Sequence, residues 1–227
     1  MIQWRDIWTL IDRKTQVEVF QKIVNNSGAI FEELATKYSK TQHEKLIEEF
    51  LKDNSWILGL SLDSVQYNNI DDSLNDLKKI QEQIPGRPEH NFDILTETTV
   101  VNIVELKLPT EQLFNIWEDG HGNPKWNPKF FEHVTQIQNY KRVLEQVWDS
   151  RIVPQWKKII FPNTWLIIGR KSDMSEDQLK VFDMYRKNIV EPKIYTYDEL
   201  LERAKKIINT FPKKVAEEEI SFADIPF

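Results

Sequence analysis

Asp93, Glu105 and Lys107 are the residues whose types and spacing could do chemistry. They fall in FDILTETTVVNIVELK, residues 92–107, which reads as two short β-strands turning near Glu97-Thr98-Thr99. Val101, Ile103, Glu105 and Lys107 are spaced by two and so share one strand face, while Val100, Val104, Leu106 and Leu108 take the other. A buried row of side chains that ends in a carboxylate and an amine must meet something polar. Asp93 on the neighbouring strand can converge on Glu105 across the ladder. Two carboxylates brought together repel, and burial disfavours their charge unless a cation neutralises them. Mg²⁺ or Mn²⁺ suits such oxygen ligands. Lys107 would then sit beside the ion, placed to polarise an attacking water or to balance charge in the transition state of phosphodiester hydrolysis. The other reading of the same three residues is a salt bridge from Asp93 or Glu105 to Lys107.

Bulk composition leaves room for that chemistry. The 227 residues can bury one substantial core, and 40% hydrophobic content is ordinary for a globular chain. No run of about 18 apolar residues occurs, so no membrane helix is expected. The N-terminus lacks the apolar core of a signal peptide, and the absence of cysteine removes disulfides and thiolate metal sites. A cytoplasmic protein is expected. The net charge of −6 argues against nucleic acid until its distribution is seen. Residues 125–171 hold nine Lys/Arg against three Asp/Glu, a balance of +6, and residues 41–124 hold six against sixteen, a balance of −10. Carboxylates for cations beside cations for a phosphate backbone are what a metal-dependent phosphodiesterase needs. Uneven surface charge of no function is the competing reading.

The elements that must position these groups follow from periodicity. Apolar residues at helical spacing over 2–38, broken at Asn25-Asn26-Ser27-Gly28, predict two or three helices forming an N-terminal cap or an oligomerisation surface. QHEKLIEEFLKD predicts a helix capped by Thr41 with Glu44 as its capping-box partner. Residues 63–91 are polar and close on Pro85-Gly86-Arg87-Pro88. After the strand pair come a loop over 109–128, an amphipathic helix from Phe130 to about Ile152, a buried strand TWLIIG (164–169), a helix EDQLKVFDMYRK, a strand KIYTY (193–197) and a last helix capped by Asp198. This order predicts an α/β fold built on one mixed sheet flanked by helices.

Asp93 followed by Glu105-Leu106-Lys107 resembles the PD-(D/E)xK nuclease signature, although Asn91-Phe92 stand where that pattern has proline before the acid. Gln136 and Tyr140, at i and i+4 on one helix face, resemble the QxxxY motif of the RecB-like branch. With HEKLIEEFLKDNSWILG, TWLIIGR and IYTYDELLERA in order, residues 41–210 resemble the catalytic domain of Shedu-type nucleases, prokaryotic proteins associated with defence against phage. The resemblance implies a restriction-endonuclease-like core over 41–211, and the residues on either side read as a small helical extension over 1–40 and a flexible acidic tail over 212–227. It implies Asp93, Glu105 and the Leu106 carbonyl as metal ligands, Lys107 for water activation or transition-state charge, and Gln136 and Tyr140 to orient Lys107 or the scissile phosphate. It also implies a carboxylate from the first core helix. Glu44 is the choice, with Glu48 one turn along the same face and simple capping as Glu44's rival role.

The expected function is a Mg²⁺-dependent DNA endonuclease. A nucleic-acid-binding or sensing module that does not cut is the alternative, as is a structural interaction domain. Trp126 between Lys125 and Lys129 suits base stacking with phosphate contact. Lys141, Arg142, Arg151, Lys157, Lys158, Arg170 and Lys171 are candidates for the strand path, and His121 reads as solvated. The four histidines are scattered without metal-ligand spacing. An always-active nuclease would harm its cell, so restraint by a homo-oligomer (dimer or tetramer) or by the N-terminal helices is expected. Asp224-Ile225-Pro226-Phe227 match the last four residues of the acidic tip of bacterial single-stranded-DNA-binding protein, which implies proteins that bind that tip as further partners. Coincidence, or a tail folded back through Phe222 and Phe227, is the competing reading.

Overall fold

A computed structural model describes residues 4–25, 28–38, 42–58, 94–97, 100–115, 123–149 and 160–210. Helices α1 (Trp4–Val24), α2 (Gly28–Tyr38) and α3 (His43–Asp53) precede strands β1 (Ile94–Glu97) and β2 (Val100–Leu106). Then follow α4 (Pro128–Asp149), β3 (Ile160–Ile167), α5 (Glu176–Asn188), β4 (Lys193–Tyr195) and α6 (Tyr197–Thr210). Among the described residues two helices, α1 and α2, cover the N-terminal region, on either side of the break in helical spacing at Asn25-Asn26-Ser27-Gly28.

The sheet order is β1-β2-β3-β4, with β1 antiparallel to β2 and with β2, β3 and β4 parallel. The α/β class with one mixed sheet is as expected. Parallel neighbours need a crossover, which α4 supplies between β2 and β3 and α5 between β3 and β4. In such a sheet both faces are covered. Val104, Leu106, Trp165 and Ile167 join Val17, Phe20, Phe50, Leu51, Tyr197 and Leu200 in one apolar core, under α1, α3 and α6. Leu166, Ile168 and Ile194 join Phe130 and Val134 of α4 and Phe182 of α5 in the other. Register sets Glu105 beside Leu166, so the carboxylate faces α4.

Helix ends differ from the sequence reading in two places, each for a local reason. Gln42, not Thr41, is the N-cap of α3, and its side chain makes no capping bond, so the expected capping box does not form; Thr41 lies outside the described residues. KIYTY is strand only to Tyr195, because Glu199 Oε2 accepts the Thr196 amide (3.0 Å) and starts α6 at Tyr197, one residue before the expected cap. Asp198 instead accepts the Ser172 amide at 3.0 Å. Burial opposes the charge of Glu199, but Lys171, the Thr196 amide and Arg186 outweigh it and hold its pKa below the ordinary value. α5 has a complete capping box between Ser175 and Gln178, with acids in its first turn and bases in its last, as the helix dipole favours.

Among the described residues no helix is long and apolar enough to cross a membrane.

Candidate active site

β2 ends at Leu106 and delivers Glu105 and Lys107 to the C-terminal end of the sheet. Glu105 is only 2% exposed. A carboxylate that deeply buried requires a positive partner, and Lys107 Nζ donates to its Oε1 at 2.7 Å. Glu44, in the first turn of α3, brings Oε1 to 4.0 Å from the same ammonium. One cation is thus flanked by carboxylates from a strand and from a helix. Glu48, the other candidate, is buried and paired with Lys45 and Lys52 of its own helix. Burial works against the Lys52 ammonium, yet Glu48 and Glu49 more than compensate and raise its pKa. The expectation for Asp93 lies outside the described residues, though the strand it precedes pairs Ile94 with Val104. Among the described residues no three carboxylate or imidazole groups form a metal-binding cluster.

The backbone beneath Lys107 is held from three sides. Its amide donates to the Ile167 carbonyl at 2.9 Å, and the buried Tyr197 donates its hydroxyl to the Lys107 carbonyl at 2.7 Å. Gly169, at φ +60°, donates to the Leu108 carbonyl at 3.2 Å. A side chain there would strike Leu113 and stand 2.6 Å from the Glu111 carbonyl oxygen, so only glycine lets β3 exit so close to the segment after Lys107.

α4 covers the Glu105 face. Its apolar stripe Phe130, Val134, Ile137 and Tyr140 is buried, and the Gln136 amide donates to the Tyr140 hydroxyl one turn away. The QxxxY pair is therefore a bonded unit on the helix that packs over the Glu105 face. His133, one turn earlier, has its Nε2 3.8 Å from Glu111 Oε1. Burial, and then the charge of Lys107, lower the His133 pKa; Glu111 and Glu132 pull it the other way. Neither His133 nor Glu111 was singled out from the sequence. The i, i+3, i+7 spacing of His133, Gln136 and Tyr140 was the available signal.

The residues expected on a DNA path separate into groups. Trp126 stacks on Phe114 (4.3 Å between ring centroids) and Phe130 (4.7 Å), with Tyr185 tilted at 5.1 Å, so its ring belongs to an aromatic cluster in the fold. Lys125 and Lys129 are exposed beside it. Lys141 is ion-paired with Glu191, while Arg142 is exposed on the same helix. Arg170 reaches back to Asn25 Oδ1 and the Val24 carbonyl, and Lys171 pairs with Glu199 at 2.9 Å. Expectations for His121, Arg151, Lys157 and Lys158, and for the tail with Asp224, Ile225, Pro226 and Phe227, lie outside the described residues.

The family model described as Shedu protein SduA, C-terminal, matches residues 41–201 of the chain. Comparison with curated proteins gives no match.

Proposed function

The chain belongs to the Shedu SduA C-terminal family, and we propose that it is a divalent-metal-dependent DNA endonuclease of the PD-(D/E)xK type on a restriction-endonuclease-like core. Family membership supports a role in defence against phage. The observation that carries the nuclease reading is the Lys107 ammonium, 2.7 Å from buried Glu105 and 4.0 Å from Glu44 at the end of a parallel strand. A bare structural ion pair needs one carboxylate. A second acidic group beside it adds hard oxygen of the kind that suits Mg²⁺ or Mn²⁺. Asp93, Glu105 and the Leu106 carbonyl would hold the ion, which when bound would supply Lewis acidity at the phosphate and a more acidic water.

The chain's own groups then divide the work. Lys107, fixed by Glu105 and by its anchored backbone, balances the negative charge that grows on phosphorus-bound oxygen. Gln136 and Tyr140, already bonded to each other, orient Lys107 or the scissile phosphate without further reorganisation. Exposed Lys125, Lys129 and Arg142 contact the strand backbone, which adds affinity that falls with salt. A homo-oligomer or the N-terminal helices restrain the activity.

A titration of Mg²⁺ and Mn²⁺ against labelled DNA tests this in the wild type, Glu105→Ala and Lys107→Ala. The expected result is cleavage by the wild type, lost in both variants while DNA binding persists. Absence of cleavage by the wild type at every metal concentration would leave a binding module instead.

A further inference from the structure

Hydrolysis of a phosphodiester by water releases a proton from the nucleophile, and the groups so far assigned do not take it. Lys107 donates to Glu105 at 2.7 Å and, as an ammonium, has no lone pair to accept with. Carboxylates are weak acceptors near neutral pH, with ordinary pKa values of about 4, whereas an imidazole at about 6.5 is matched to the task. His133 is the imidazole at hand. It lies on α4 one turn before Gln136 and two turns before Tyr140, with its side chain 18% exposed. Glu111, on the segment that follows Lys107, stands 3.8 Å from its Nε2.

Resting on the nuclease reading, we propose that His133, oriented by Glu111, accepts the proton of the attacking water. Nε2 is buried with no hydrogen-bond partner among the described residues, and Glu111 lies 3.8 Å from it, beyond hydrogen-bond reach, so the carboxylate acts through its field, which favours hydrogen on Nε2 and leaves Nδ1 basic. The balance is simple. The water oxygen forms a bond to phosphorus as its proton passes to the imidazole, the bond from phosphorus to the leaving sugar oxygen breaks, and that oxygen takes a proton from solvent. His133 then returns its own proton to solvent. No electron changes hands. The charged groups facing the ring are Lys107 and Glu111 from the segment after β2 and Glu132 from its own helix. Burial, and then the Lys107 charge, lower the ring's pKa and so favour the neutral form that can accept a proton.

The experiment compares wild type, His133→Gln, His133→Ala and Glu111→Gln for DNA cleavage in Mg²⁺ across pH, with binding and thermal melting measured alongside. Glutamine keeps a polar side chain of similar size, so folding and DNA binding should persist. Cleavage in His133→Gln should fall about 100-fold or more, with the acid limb of the wild-type pH profile gone. Added imidazole should restore part of the rate of His133→Ala. In metal-free protein, nitrogen-15 spectra of the ring should show hydrogen on Nε2, a preference weakened in Glu111→Gln. Wild-type cleavage with His133→Gln retaining both rate and acid limb would overturn this inference alone. No cleavage by the wild type would overturn the nuclease reading beneath it.

Discussion

Tyr197, fully buried at the start of α6, donates its hydroxyl to the backbone carbonyl of Lys107 at 2.7 Å, across 90 positions of chain. Its ring also packs at 6.3 Å from Phe20 of α1. A single side chain thus joins the N-terminal helix, the last helix and the backbone of the candidate catalytic lysine.

Tyr197→Phe keeps the ring and removes only the donor. The Lys107 carbonyl is then left to find another partner in a buried setting, which costs about 1–3 kcal/mol. The variant should melt earlier and cleave more slowly, because Lys107 loses the fixed backbone from which it reaches Glu105. Thermal melting and single-turnover cleavage check this. An unchanged rate alongside a lowered melting temperature would confine the bond to stability.

Gly169→Ala should be among the most disruptive small substitutions. Alanine at φ +60° costs about 1–2 kcal/mol in backbone strain, and its Cβ meets Leu113 and the Glu111 carbonyl. Relief requires the segment 108–113 to move, and that segment starts one residue after Lys107. Denaturant unfolding should show a loss above the strain term alone.

The two acids of α3 should separate cleanly. Glu48 is paired within its helix by Lys45 and Lys52, so Glu48→Gln should lower stability by about 1 kcal/mol or less and leave cleavage intact. Glu44 is partly exposed and stands 4.0 Å from the Lys107 ammonium. Glu44→Gln should hold stability within about 0.5 kcal/mol and lower cleavage about tenfold or more, the effect of about 1.4 kcal/mol at the transition state. Paired melting and cleavage assays decide it; the reverse pattern would assign the site to Glu48.

The difference between those two acids was not legible beforehand, and the reason is physical. They lie four residues apart, on one helix face, so periodicity treats them alike. Which one a lysine from β2 meets depends on how α3 docks on the sheet. Glu105 and Lys107 were legible because a strand forces residues two apart onto one face, and Gln136 and Tyr140 because a helix does so at four. Trp126 misled. Lysines on either side suggested stacking on a base, but its ring partners Phe114, Phe130 and Tyr185 come from other elements. His133 and Glu111 were passed over because twenty-two positions separate them. The start of α6 was misplaced because KIYTY has strand-forming residues throughout, and a capping acid two residues further on decided otherwise.

The last prediction concerns the seam between α1 and the rest of the fold. His43 Nε2–H donates to the Ile23 carbonyl at 3.1 Å, and Arg170 holds the neighbouring Val24 carbonyl and Asn25 Oδ1. Together they satisfy carbonyls at the end of α1, which have no partners within the helix. Burial lowers the pKa of His43 below 6.5; the bond to Ile23 opposes this, and the Arg170 charge adds to it. The folded chain therefore resists protonating this ring more than the unfolded chain does. Stability from the neutral form is fully present above pH 6.5 and is lost as pH falls through and below it, because the unfolded state then binds the extra proton. His43→Gln keeps a donor without a titrating ring and should flatten that part of the stability profile, leaving the share due to His133. Denaturant unfolding from neutral to mildly acidic pH measures the slope, and amide exchange at Gln21 to Asn25 locates it. Equal acid sensitivity in wild type and His43→Gln would show that the seam is indifferent to this proton.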